Sequence, residues 1–180
     1  TGNVSSASSI SKYMKWQQQD VSTNVVLNYI SFYREAYLID QVDRYDIHGK
    51  KLLESNSKYY FGDIGLRNSI ADGDRTTDIE KVMETAVYQH LRRLGWKVCV
   101  GQLRAGEIDF VCTRKDERIY VQVTYMIGSD ETYAREFGAL RRIGDDHPKY
   151  VISASPLLQR SNDNGITHLH IREFLKNGFA

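Results

Sequence analysis

Glu107-Ile108-Asp109-Phe110-Val111 and Tyr120-Val121-Gln122-Val123-Thr124-Tyr125 decide how this chain is read. Both runs are rich in β-branched and aromatic residues, the composition of strands. The polar link Arg114-Lys115-Asp116-Glu117 is short enough for a hairpin turn. Counting outward from Lys115 and Asp116 sets Asp109 opposite Gln122 and Glu107 opposite Thr124. Side chains alternate along a strand, so these four share one face. Ile108, Phe110, Val121 and Val123 line the other, which is the expected core face. Two carboxylates, an amide and a hydroxyl then meet on one patch, with directly opposed Cβ atoms about 5 Å apart. Hard divalent cations such as Mg²⁺ take oxygen ligands of this kind. An exposed polar sheet face would show the same pattern.

Upstream of the hairpin, Thr76 or Thr77 is placed to cap a long amphipathic helix. Ile79, Val82, Met83, Ala86, Val87, Leu91 and Leu94 share one of its faces, and Gly95 ends it. Glu84 and Tyr88 lie one turn apart at the edge of that face. Trp96 to Val100 is the next expected strand, with Cys99 counted opposite Phe110. Downstream, Asp130 to Ile143 reads as a helix with Phe137 and Leu140 inward and Arg135, Arg141 and Arg142 outward. Lys149 to Ser153 and Gly165 to His170 read as strands, and Arg172 to Asn177 as a short helix. The order α-β-β-β-α-β-β-α predicts an α/β (α+β) domain, a mixed sheet flanked by helices, over residues 77–180.

Residues 1–76 read differently. Ile10 and Met14 mark a short helix, and Gln17-Gln18-Gln19-Asp20 breaks it. Ser22 or Asp20 caps a second helix, in which Val25, Val26, Tyr29, Ile30 and Tyr33 recur at helical spacing. A β-hairpin with a His48-Gly49 tip follows, and then the aromatic strand Lys58 to Asp63. Helix, turn, helix and hairpin are the order of a winged helix, whose second helix enters the DNA major groove. Lys12, Lys15, Thr23, Asn24, Asn28 and Lys50 are its candidate DNA contacts, Asn reading adenine edges and Lys neutralising phosphates. This half carries nine Lys or Arg against nine Asp or Glu, so it suits a protein-docking module as well as a DNA reader. Ala71 to Arg75 has no apolar period and is the expected boundary loop.

Composition narrows the classes. A charged fraction of 26% and a hydrophobic fraction of 41% fit a soluble globular chain, expected in the cytoplasm, with no membrane partner. The net charge of +1 provides no general attraction to nucleic acid. Cys99 and Cys112 read as free thiols of a reducing compartment. The first residues, Thr1-Gly2-Asn3, read as the start of a piece cut from a longer protein. His168 and His170 share one side of a strand, where an exposed face explains them better than a metal pair. Asp145-Asp146-His147 reads as a solvated loop. No Gly-x-x-x-x-Gly-Lys-Ser/Thr run is present, so an ATP site is not expected in these residues.

Glu84 on a helix, with Asp109 beside Gln122 on a hairpin, resembles the restriction-endonuclease-like nuclease fold. Lys58-Tyr59-Tyr60-Phe61-Gly62-Asp63-Ile64-Gly65-Leu66-Arg67-Asn68, Glu107-Ile108-Asp109-Phe110, Gln122-Val123-Thr124-Tyr125 and Arg135-Glu136-Phe137-Gly138 go further. Together they resemble the C-terminal region of a family of prokaryotic AAA-type ATPases. Those chains carry an N-terminal nucleotide motor, a winged helix and a nuclease-like domain of unknown function. The resemblance implies a catalytic set of Glu84, Asp109, Gln122 and Thr124, and a Mg²⁺ site of Glu84, Glu107, Asp109 and Gln122. It implies DNA as partner and an upstream ATPase part that alone would use ATP. Thr124 stands where the nuclease pattern has a lysine, and a neutral hydroxyl cannot supply that lysine's charge. DNA binding without efficient cleavage is therefore the expected function, with a Mg²⁺-dependent DNA endonuclease and a protein-interaction module as alternatives. Oligomeric state is not legible.

Overall fold

The computed structural model describes residues 4–70, 78–104, 106–156 and 161–180. The expected loop Ala71 to Arg75 and the capping candidates Thr76 and Thr77 lie outside these residues. After the two-residue strand β1 (Val4–Ser5), Ser6 caps α1 (Ala7–Trp16) through a capping box with Ser9. Ser22 caps α2 (Thr23–Glu35) by accepting from the Val25 N–H. The hairpin β2 (Ile39–Asp46) and β3 (Lys51–Phe61) follows, with its tip at His48-Gly49 as expected. Asp46 closes that tip by accepting from the N–H groups of His48 and Gly49. A short helix, α3 (Ile64–Ile70), leads on to α4 (Ile79–Arg93).

The rest of the chain follows the expected order. Strands β4 (Lys97–Leu103), β5 (Gly106–Arg114) and β6 (Glu117–Thr124) form a meander. Then come α5 (Asp130–Arg141), β7 (Lys149–Ser153), β8 (Ser161–Asp163), β9 (Ile166–His170) and α6 (Ile171–Asn177). The protein is an α/β structure with one mixed sheet, in the order β1-β3-β2-β4-β5-β6-β7-β9-β8. The sheet runs on across the expected boundary at residue 76, because β2 pairs in parallel with β4. The first half therefore contributes strands to the sheet that holds Asp109.

Two apolar layers cover the sheet. On one face Val87, Tyr88 and Leu91 of α4, with Phe174 of α6, pack on Phe110, Cys112, Val121 and Ile152. On the other, Phe137 and Leu140 of α5 pack on Ile108, Val111, Tyr120 and Val151. Ile108 and Phe110 thus lie on opposite faces, where simple alternation puts both on one. The cause is a bulge: Gly101 pairs with Ile108, but Cys99 pairs with Val111, so the register slips by one. Cys99 consequently faces Val111 rather than Phe110. Both cysteines are free, Cys112 buried and Cys99 half-buried.

The apolar stripe expected to bury α2 is largely uncovered. Val26 is its one fully buried side chain, while Val25, Tyr29 and Tyr33 are exposed, as are Trp16 of α1 and Tyr37 beyond α2.

Candidate active site at the opening of the β5–β6 hairpin

The β5–β6 turn has the expected centre. Lys115 takes a positive φ of 53°, and the ladder runs from Arg114–Glu117 to Phe110–Val121 in the counted register. Beyond that pair the strands part, and side chains bridge the gap. The Asp109 carboxylate accepts from the Val123 N–H at 2.8 Å, while the Gln122 amide oxygen accepts from the Asp109 N–H at 3.3 Å. Buried backbone donors must find acceptors, and these two polar side chains replace the missing ladder bonds.

Lys58 of β3 reaches into this opening. Its Nζ lies 2.9 Å from Glu107 Oε1, 3.2 Å from Glu84 Oε1 and 3.9 Å from Asp109 Oδ1. The same Glu84 oxygen accepts from the Tyr60 hydroxyl at 2.6 Å. Tyr60 in turn stacks on Tyr88, with ring centroids 4.6 Å apart. Alternation along β3 puts Lys58 and Tyr60 on the α4 face, one turn of which presents Glu84 between Met83 and Tyr88. Lys58 is only 6% exposed. A lysine is buried to this degree only when paired, and here three carboxylates surround it.

Charge and burial compete in this cluster. Burial works against the Lys58 ammonium, but Glu84, Asp109 and Glu107 outweigh it and hold its pKa above the ordinary lysine value. Burial pushes the Asp109 carboxyl up, and Glu84 adds to the shift. Lys58 and the Val123 N–H pull it partly back. The Tyr60 hydroxyl is raised by burial and by the Glu84 charge it donates to.

Glu84, Glu107 and Asp109 are thus brought together as expected, and Gln122 touches the same strand opening. Thr124 is not placed as the alternation count had it. Val123 packs with Val121 on the α4 face, so Thr124 turns to the α5 face, level with Ser153 of β7. It is 2% exposed, and its Oγ1 has no hydrogen-bond partner among the described residues. The slip in β5 is the physical reason: it reverses Glu107 relative to β6, so the two strands no longer share the counted face. Lys12, Lys15, Thr23, Asn24, Asn28 and Lys50 are all exposed, on α1, α2 and the β2–β3 tip, and Lys15 pairs with Asp20 at 3.6 Å. His168 lies on no exposed face. It is fully buried and shares a 2.8 Å hydrogen bond with Ser153, while His170 caps α6 by accepting from the Arg172 N–H. Asp145 accepts from the buried Tyr120 hydroxyl at 2.5 Å, which ties the expected loop to the sheet.

Lys58 and Tyr60 are the site residues that motif reading missed. Their strand is legible, and so is their shared face. That this face lies over Glu84 depends on β2 crossing to pair with β4, Arg44 opposite Val100. Among the described residues, no three His, Cys, Asp or Glu side chains are gathered closely enough to hold a metal ion in their present positions. The carboxylates are spaced around an ammonium instead. Their donor chemistry, three hard oxygen ligand groups, still fits a divalent cation.

No family model matches the chain. Over 174 residues, 97% of the chain, it is 31% identical to an "Uncharacterized protein" of Haemophilus influenzae, and it spans 42% of that relative's length. No solved structure matches. Among the described residues, no helix is long and apolar enough to cross a membrane.

Proposed function

We propose that this chain is a divalent-cation-dependent nuclease unit acting on DNA, within a longer protein that also carries an ATP-driven motor. The observation that supports it is the convergence of Glu84, Glu107 and Asp109 on one cation at the opening of the β5–β6 ladder. Three carboxylates facing one ammonium leave a formal excess of two negative charges among these four side chains. A cluster with more acids than cations suits a counter-charge, and Mg²⁺ is the hard cation whose charge and ligand preference fit. Glu84, Glu107 and Asp109 would hold it, with the Gln122 amide oxygen beside them. When bound, such an ion lowers the pKa of a water and stabilises charge on a phosphoryl oxygen.

The chain's own residues have distinct tasks. Tyr60 holds Glu84 in place through its 2.6 Å hydrogen bond, and the Val123 N–H orients Asp109. Lys58 contributes a positive charge that Thr124 cannot, and that removes the sequence-based reason to expect poor cleavage. Three arginines, in the β4–β5 turn and at α5, suit a phosphate backbone. Arg104 is exposed in the β4–β5 turn, Arg142 reaches to within 3.7 Å of where a side chain on Gly106 would begin, and Arg135 flanks Glu136. The exposed helices α1 and α2 would carry the winged-helix contacts. More than half of the Haemophilus relative lies outside the match, which leaves room for the motor that the resemblance implies. The test is incubation of linear DNA with Mg²⁺ or Mn²⁺ and the wild type or Asp109→Asn. Metal-dependent cleavage lost in Asp109→Asn is the expected result. DNA retention that weakens steeply with salt, without cleavage, would favour binding alone.

A second reading has its own observation. Trp16, Tyr29, Phe32 and Tyr37 are all exposed, as residues of a protein-docking surface are before they are covered.

A further inference from the structure

We propose that Lys58 is a tethered competitor for the divalent cation: ammonium and metal ion contend for Glu84, Glu107 and Asp109, and the metal frees Lys58 to face the phosphate. The inference rests on the reading of these carboxylates as a cation site. Lys58 Nζ occupies the point on which all three acids converge, at 2.9, 3.2 and 3.9 Å, and its side chain is among the most buried of the charged groups. Two like charges cannot both lie within contact of the same few oxygens without strong repulsion. A divalent ion entering there must displace the ammonium.

Three local features make the exchange workable. Glu84 is kept in position by Tyr60 and not only by Lys58. Asp109 keeps one oxygen on the Val123 N–H and turns the other toward Lys58, so its orientation survives loss of the lysine. Glu107 is 30% exposed, which makes it the open side of the cluster. The neighbouring cations are otherwise engaged: Arg67 and Lys81 pair with Asp78, and Arg135 pairs with Glu136. Lys58 is therefore the cation whose position answers to the occupancy of these acids. Released, it is still anchored on β3, beside the opening of the β5–β6 ladder.

The experiment measures Mn²⁺ alone, without DNA, on the full chain. Calorimetry or the electron paramagnetic resonance of free Mn²⁺ gives the affinity of the wild type, Lys58→Met and Asp109→Asn. Lys58→Met should bind Mn²⁺ at least tenfold more tightly than the wild type, and Asp109→Asn at least tenfold more weakly. In parallel, reductive methylation of the wild type, read by peptide mass spectrometry, should modify Lys58 with Mn²⁺ present and spare it without. Equal or weaker Mn²⁺ binding by Lys58→Met overturns the competition while leaving the nuclease reading in place. If Lys58→Met does not fold, the labelling decides, and Lys58 methylation unchanged by Mn²⁺ overturns the proposal. Absence of Mn²⁺ binding in wild type and variants alike overturns both it and the nuclease reading.

Discussion

Replacing Lys58 by Met removes the ammonium and keeps most of the side chain's length, so the fold loses a charge rather than a packing element. Nζ makes three contacts with carboxylate oxygens, at 2.9, 3.2 and 3.9 Å. At an effective dielectric of about 20, each carries about 4–6 kcal/mol of gross attraction. Most of that is offset by the cost of stripping water from the ammonium. Screening discounts the Glu107 contact furthest, because that side chain is 30% exposed. Removing one member of a buried ionic group leaves the others uncompensated, which costs about 3–5 kcal/mol. The expected loss is at the lower end, about 3 kcal/mol, and a domain of ordinary stability survives it. The lysine's folded pKa is raised above 10.5, so its contribution is whole below that value and is lost only as pH rises through the folded one. At pH 7.5 the entire effect should therefore be visible in urea unfolding. Toward pH 4 Asp109, whose pKa burial already raises, takes up a proton and the deficit should narrow. A loss below about 1 kcal/mol at pH 7.5, the size of a surface pair, would refute the reasoning. So would a loss that is equally large at pH 4.

Three further outcomes are expected. Asp109 has a raised pKa, so it stabilises the fold fully only below its unfolded pKa, and that contribution is lost as pH rises through the folded value. Asp109→Asn keeps an acceptor for the Val123 N–H and should melt higher than the wild type at pH 8 but not at pH 4; a lower melting point at pH 8 would contradict this. A Cβ on Gly101 would lie 2.9 Å from side-chain atoms of Ile108, Ile47 and Val111, so Gly101→Ala should cost about 1–3 kcal/mol by chemical denaturation. His90, packed edge-on to Phe174, has a pKa lowered by burial and by Arg93. Its contribution is present above 6.5 and lost as pH falls through the folded value. Between pH 7 and pH 5 the wild type should lose melting temperature that His90→Gln retains, and parallel curves would argue against it.

What the sequence determined by itself is local. Strand composition and a two-residue polar turn set the β5–β6 register, because pairing next to a tight turn leaves one way to count. Helical spacing marked α4 and α5 and their inward faces, since a period of 3.6 residues gathers apolar side chains on one stripe. Glu84, Glu107 and Asp109 were legible as acids near one another, and the structure brings all three to Lys58. Tertiary structure decided the rest. The slip between β4 and β5 turned Ile108 and Glu107 over relative to the simple alternation, and no residue type in that run announces a bulge. The apolar stripe of α2 promised burial, but periodicity says which side of a helix is apolar and not whether anything covers it. Above all, Lys58 stands among the carboxylates because β2 pairs with both β3 and β4 and so carries the first hairpin to the edge of the second. That contact joins residues far apart in the chain, and its energy comes from the attraction between an ammonium and acids that only the assembled sheet brings within reach, less the cost of burying them.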